Sequence, residues 1–351
     1  MSERQLLRGN EAIAEAAIRA GCTCYFAYPI TPQAELLEHM AANMQRLGRT
    51  FVQAESEVAA ISMVYGAAAT GARVMTSSSS PGISLKQEGI SYLAGANLPA
   101  VIVNVVRGGP GLGNIAPCQC DYFQATKGGG HGDYHMIVLA PSTVPEAAEL
   151  TMLAFDLADE YRTPVMILAD GMLGQMMEPV ALPNPVDVAD LPDKPWATTG
   201  AKGREPNIVL SFDLDPLVLR EMNLALQEKY RHIVASEIRH EETQTDDAGI
   251  VIAAYGTIAR IAKSVVREAR AEGIKLGLYR PITLWPFPYE PLRALAERAQ
   301  TVLTVEMSAG QMWEDVRLAV AERAETPFFG ELGGVVPTPR AILNEVRNHA
   351  R

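Results

Sequence analysis

Four stretches of this chain gather residue types from which a reaction could be built, and each follows a run of apolar residues. The first is Tyr28-Pro29-Ile30-Thr31-Pro32. Thr31 at a helix N-cap with Pro32 next to it explains the pair structurally, since the hydroxyl satisfies an orphan amide and the ring presets φ. A hydroxyl beside open helix amides can also hydrogen-bond a carboxylate. The second is Gln53-Ala54-Glu55-Ser56-Glu57, where acids at a helix start complement the dipole. Glu57 is followed by Val58, Ala59, Ala60, Ile61 and Ala67, apolar surroundings that can raise a carboxyl pKa and suit it to exchange protons.

The third stretch is Arg107-Gly108-Gly109-Pro110-Gly111-Leu112-Gly113. Its guanidinium can grip a carboxylate with two bonds, and its glycines let backbone approach a ligand closely. An arginine capping sheet carbonyls is the alternative. Asn114 stands where a dinucleotide loop needs its third glycine, and no G-K-[ST] follows, so both phosphate-loop readings fail. The fourth, Lys127-Gly128-Gly129-Gly130-His131-Gly132-Asp133-Tyr134, sets His131 in a flexible run. His131 could transfer protons near neutral pH, or be an ordinary loop histidine.

The elements between these stretches must position them. Up to about residue 170, short β-branched or apolar runs alternate with longer amphipathic ones, as in parallel α/β sheets. The pattern predicts strands at 22–28, 50–53, 73–76, 100–106, 136–140 and 164–170, and helices at 9–19, 32–45, 57–69, from 82 to 95, and 144–161. The expected fold is α/β, a doubly wound, mainly parallel sheet with ligands at its strand ends. Five prolines and three aspartates between 182 and 206 mark a linker, and the polar helix expected at 216–240 is free to extend across a partner. From 249 the α/β rhythm returns for a second, smaller unit. The expected division is 1–180, 181–248 and 249–351.

The 351 residues suffice for roughly two domains. With 48% hydrophobic and 20% charged residues the chain is neither disordered nor fibrous. Forty-one acids against thirty bases give a net charge of -11, which argues against nucleic-acid binding and against anionic membranes. No apolar leader opens the sequence and no run reaches about twenty apolar residues, so a cytoplasmic location is expected. Cys22/Cys24 and Cys118/Cys120 form two C-x-C pairs rather than the C-x-x-C sets of zinc or cluster sites, so reduced thiols and no metal are expected.

At these residues the chain resembles the alpha subunit of the 2-oxoacid:ferredoxin oxidoreductases. Tyr28–Pro32, the residues around Glu57, Arg107–Pro110 and the glycine run through His131 carry the likeness, in order, and it continues into 280–288 and Glu306. Gly111-Leu112-Gly113 stands where the 2-oxoglutarate enzymes usually carry Ser-Thr-Gly, and the wording is closest to the branched-chain (3-methyl-2-oxobutanoate) type. The resemblance implies a thiamine-diphosphate-binding pyrimidine-type domain followed by a transketolase C-terminal-like domain. It implies that Glu57 hydrogen-bonds N1' of the aminopyrimidine, that Tyr28 and Pro29 flank the cofactor, and that Thr31 and Arg107 hold the substrate carboxylate. It further implies coenzyme A as co-substrate, with a beta subunit holding Mg2+ and the diphosphate. Gamma and ferredoxin-like delta subunits would carry iron–sulfur clusters that reduce ferredoxin, in a dimer of heteromers. The sequence has no G-D-G diphosphate signature and no cluster-binding cysteine set, as expected of a shared enzyme.

Two other readings stay open. The same chemistry on 2-oxoglutarate would want a second cation near the site, for which Lys86, Lys127 and His131 are candidates. A non-catalytic scaffold would use Thr31, Glu57 and Arg107 only as caps and interface ion pairs. Arg280 and Glu306, at later strand ends, are expected to be solvated and are not assigned to the site.

Overall fold

The computed structural model describes residues 4–350. Its larger sheet has seven strands in the order Thr283–Trp285, Ile137–Leu139, Pro164–Asp170, Ala100–Val106, Val74–Ser78, Cys24–Ala27 and Thr50–Gln53. All are parallel except Thr283–Trp285, which pairs antiparallel with Ile137–Leu139. Ala100–Val106 and Pro164–Asp170 are buried along their full length, which is why they read as apolar runs interrupted only by Asn104 and closed by Asp170. Two groups of helices cover the sheet. Gly9–Arg19 packs against Val144–Tyr161 and Ala34–Met44, and Glu57–Ala69 against Ser80–Gly95.

A second sheet orders Phe328–Gly330, Thr301–Glu306, Ile250–Ala253, Leu276–Pro281 and His240–Thr243, the last antiparallel. Gly256–Ala271 and Pro339–His349 close a core with it around Ile252, Val265, Leu278, Val305 and Ile342. The polar helix runs Pro216–Ser236 and then gives way to the edge strand His240–Thr243, earlier than the sequence pattern suggests. Its C-terminal half buries Leu226, Tyr230 and Ile233 on its own chain, and Lys229 Nζ donates to Asn97 Oδ1 at 2.7 Å. The proline-rich linker also lies along the first unit, with Val186 N–H donating to Arg19 O and Thr198 N–H to Ala69 O.

The two units interlock through side chains from strand ends. Gln119 donates to Tyr255 O at 3.0 Å and accepts from Met307 N–H at 2.9 Å. Arg280 and Glu306 are buried rather than solvated. Glu306 accepts from Met312 N–H, Trp313 N–H and Ser308 Oγ, fastening the start of the helix Gln311–Val320, and burial pushes its pKa up. Arg280 bonds both carboxylate oxygens of Glu146, at 2.8 and 3.0 Å, and Glu241 Oε2 at 2.9 Å. Removing one member of such a buried group strands the others' charge. Arg280→Met is therefore expected to lower unfolding stability by about 3 kcal/mol, read as a fall in the urea midpoint. Adding Glu146→Gln to that variant should recover part of the loss. A midpoint unchanged in Arg280→Met would show that the ion group contributes nothing net.

Candidate active site

The strand ends Ala27, Gln53, Ser78 and Val106 lie side by side in the sheet, so the loops that follow them meet over one edge of it. Ser56 is extended at φ -160° and its Oγ accepts from Ala59 N–H at 3.1 Å, so the helix begins at Glu57 as the sequence suggests. From this first helical position Glu57 points inward and is only 6% exposed. The helix Ser80–Gly95 passes beside it with Gly82 at the point of contact. A methyl carbon on Gly82 would lie 2.6 Å from Glu57 Oε1 and would also overlap Ser78 Oγ, so only glycine fits there. Among the described residues, no group donates a hydrogen bond to the Glu57 carboxylate or ion-pairs with it at contact distance. Ser78 and Ser79 add two buried hydroxyls without partners. Buried polar groups normally find partners, and a buried carboxylate without one is costly. This corner keeps the Glu57 carboxylate and the Ser78 and Ser79 hydroxyls free of hydrogen-bond partners among the described residues.

Arg107 follows the strand Ala100–Val106 and is 7% exposed. Its Nη1 donates to Thr31 O at 3.0 Å and its Nη2 to Leu112 O at 3.2 Å, while Nε is buried without a partner. The structure thus brings Arg107 and Thr31 together, through the backbone carbonyl rather than the hydroxyl. The guanidinium clasps the loop after each of two strands and keeps donors in reserve. Gly113 turns the second loop at φ +58°, where a side chain would strike Gly108 O.

Thr31 is not the helix N-cap. A turn closed by Gln33 N–H donating to Ile30 O carries the chain past it, and the helix starts at Ala34 behind Gln33. The Thr31 side chain is left exposed, as are Tyr28 and Pro29 beside it. His131 lies elsewhere. It is exposed, with Nδ1 3.3 Å from Ser91 Oγ and its ring edge-on to Tyr92. Ser91 is nine residues beyond Gly82 on one helix, about 13 Å along its axis. Lys127 is also removed from the site, because its Nζ contacts both oxygens of Asp315, at 2.6 and 2.8 Å.

Beneath the corner runs a polar layer that the sequence reading did not assemble. Tyr25 OH lies 2.6 Å from Ser77 Oγ, which donates to Gln33 Oε1 at 2.6 Å. Lys86, wholly buried, donates to Thr76 Oγ1 at 2.7 Å and to Ser77 O at 2.9 Å, so it is no open cation for a substrate. The four consecutive serines 77–80 closing an apolar strand were the available signal. A cavity of about 570 Å³ opens between the two units, lined in part by Ser80, Gly109, Cys118, Cys120, Ala309 and Leu332. Neither Glu57 nor Thr31 nor Arg107 lines it.

Residues 15–255 match the family model described as pyruvate flavodoxin/ferredoxin oxidoreductase, thiamine diphosphate-binding, and 248–342 that of pyruvate:ferredoxin oxidoreductase core domain II. The chain belongs to the 2-oxoacid:ferredoxin oxidoreductase family. Among curated members, this oxidoreductase chain is 55% identical to the ketoisovalerate oxidoreductase subunit VorB of Methanothermobacter marburgensis, over 99% of the chain and 98% of the relative. It is 36% identical to the 2-oxoglutarate synthase subunit KorA of Methanothermobacter thermautotrophicus, over 99% of each. The solved 2-oxoglutarate:ferredoxin oxidoreductase from Magnetococcus marinus, with 2-oxoglutarate, coenzyme A and succinyl-CoA bound, superposes with a TM-score of 0.87 at 26% identity. The match covers all of this oxidoreductase chain and 66% of that longer one. A split-gene transketolase, at 14% identity and a TM-score of 0.60, shares the fold.

Proposed function

We propose that this chain supplies the pyrimidine side of a thiamine diphosphate site completed by a partner subunit, in an enzyme acting on 3-methyl-2-oxobutanoate and related branched-chain 2-oxoacids. The overall change is 2-oxoacid plus coenzyme A plus two oxidised ferredoxins to acyl-CoA, carbon dioxide, a proton and two reduced ferredoxins. The observation that carries the reading is the Glu57 carboxylate, buried at a helix start with no partner among the described residues. A carboxylate kept only as a cap or scaffold contact would be expected to have one.

The corner suits the cofactor's aminopyrimidine. Glu57 can share a proton with ring nitrogen N1', Gly82 leaves room beside it, and the Ser78 and Ser79 hydroxyls are free to bond polar ring substituents. Bound there, thiamine diphosphate supplies a carbon nucleophile that can hold the electron pair released by decarboxylation. Thr31 and Arg107 hold the substrate carboxylate, and Tyr28 and Pro29 wall the approach. In this reading 1–180 is the pyrimidine-type unit, 181–248 the connecting segment and 249–351 the transketolase C-terminal-like unit. Mg2+, the diphosphate and the iron–sulfur clusters belong to beta, gamma and ferredoxin-like delta partners, in a dimer of heteromers in the cytoplasm. Among the described residues no helix is long and apolar enough to cross a membrane.

The branched-chain substrate is favoured by two observations. Identity is higher to the ketoisovalerate relative than to the 2-oxoglutarate one, 55% against 36%. Lys127, tied to Asp315, and Lys86, buried under Ser77, are not free to meet a second carboxylate. The purified chain alone is expected to give no turnover, and the complex assembled with its partners to oxidise 3-methyl-2-oxobutanoate with at least tenfold higher kcat/KM than 2-oxoglutarate, as about 1.4 kcal/mol of discrimination would give. Activity from the single chain would refute the shared site, and preference for the diacid would refute the substrate.

A further inference from the structure

Lys86 is 0% exposed on the helix Ser80–Gly95, one turn beyond Gly82 and on the same face. Its Nζ is fixed by Thr76 Oγ1 and Ser77 O, on the strand that ends at Ser78 beside Glu57. Among the described residues no carboxylate ion-pairs with it at contact distance, and the opposing charge it feels is that of Glu57. Lysine is among the residues least often buried without a partner. Methionine would fill the same volume without bringing a charge into the interior, so a lysine here points to a use for the charge.

The other groups around the pair do not substitute for it. Tyr25, reaching Ser77 from the neighbouring strand, is held neutral because burial pushes its pKa up. Gln33 is uncharged. Asp121 lies beyond Asn104, whose Nδ2 donates to it at 2.9 Å, and burial raises its pKa as well. Tyr134, which bonds Gln87 beside Lys86, is likewise kept neutral by burial. Arg107 is directed at the carbonyls of Thr31 and Leu112.

We propose that Lys86 is a positioning residue for Glu57: its ammonium, anchored by Thr76 and Ser77, keeps the Glu57 carboxylate ionised, so that the proton shared with the cofactor's N1' resides on the ring. This deepens the proposed function and rests on the role of Glu57 given there. Gly82, one turn before Lys86, abuts the Glu57 carboxylate, and a cation nearby favours a carboxylate's charged form. Burial pulls the Lys86 pKa down to about 7, against the pull of Glu57. The ammonium is thus present below about pH 7. The same shift has a sign for stability. Between about 7 and the ordinary 10.5 the unfolded chain binds the Lys86 proton and the folded chain does not, so stability rises with pH across that window.

The test uses the complex assembled with its partner subunits. Calorimetry in buffers of different ionisation heat counts the protons taken up when thiamine diphosphate binds. On this proposal the wild-type complex near pH 6, where the Lys86 ammonium is present, should take up about one proton per site as the cofactor binds. Lys86→Met and Lys86→Gln should take up clearly less, with the pH at which cofactor affinity changes moved upward by about one to three pH units. Lys86→Arg should restore the wild-type proton uptake below about pH 7, where the lysine is charged, and extend it to higher pH because the guanidinium stays charged. Gln can still donate to Ser77 O, so the second neutral variant keeps the test valid if Lys86→Met folds poorly. Proton uptake and affinity profiles in the neutral variants that superimpose on wild type would overturn the proposal. The Glu57 reading is checked separately by Glu57→Gln: full activity in that variant refutes the role of Glu57, whereas lost activity with unshifted Lys86 profiles removes Lys86 alone.

Discussion

Glu57→Gln in the assembled complex is expected to lower the rate of 2-oxoacid-dependent ferredoxin reduction by about two to four orders of magnitude, the usual contribution of a positioned proton-transfer group. The side chains are nearly the same size, so Gly82 still accommodates the new residue and the Ser56 cap still starts the helix. What changes is that an amide cannot share a proton with a ring nitrogen. The KM for the 2-oxoacid should move little, since the proposed function gives the substrate carboxylate to Thr31 and Arg107. The stability of the unliganded complex should change little at the same time. Loss of the carboxylate's burial cost is set against loss of about 0.3–1 kcal/mol of helix-dipole interaction and of its attraction to the buried Lys86 ammonium. Scanning calorimetry without cofactor reads the second effect, and a steady-state assay reads the first. A structural acid would show the opposite pairing, a lower melting temperature with the rate preserved.

The elements that carry the site were legible because their signals are local. Glu57–Ala69, Val144–Tyr161, Ala100–Val106 and Thr50–Gln53 have the predicted limits; the two helices have capping side chains and Ala100–Val106 an almost wholly apolar run. The N-cap falls at Gln33, two residues beyond Thr31, across a turn that no propensity rule separates from a cap. The short strands Thr283–Trp285 and Phe328–Gly330 have three residues each, too few for a period to register. Thr283–Trp285 also pairs with a strand about 145 positions earlier in the chain, as counted from its register with Leu139. The burial of Arg280 and the capture of Lys127 by Asp315 depend on how the two units dock, which no window of sequence contains. Lys86 stood out as a cation, but a fully buried position in an amphipathic helix looks, in sequence, much like its exposed neighbours.

Arg107 is expected to act on binding more than on the chemical step. In the proposed site its donors meet a carboxylate that is whole in the bound substrate and loses its charge as carbon dioxide departs, so the attraction would be stronger in the ground state than at decarboxylation. Replacing Arg107 by Met should forfeit about 1.5–3 kcal/mol of charge-assisted bonding, a rise of about ten- to 150-fold in the KM for the 2-oxoacid, with kcat falling less. Lysine should rescue poorly, because a point charge cannot bond Thr31 O, Leu112 O and a carboxylate in one plane. The clasp between the two loops predicts a second, smaller effect on cofactor affinity, and the two effects can be separated. Thr31→Val removes only a hydroxyl from the exposed side and should cost about 1 kcal/mol in substrate affinity. If Thr31 and Arg107 hold one carboxylate, the double variant will lose less than the sum of the single ones. Free guanidinium should restore part of the substrate affinity of Arg107→Ala. An Arg107 variant with an unchanged KM but weakened thiamine diphosphate binding would show the guanidinium to be a loop clasp, and the carboxylate site would then have to be sought elsewhere on the rim.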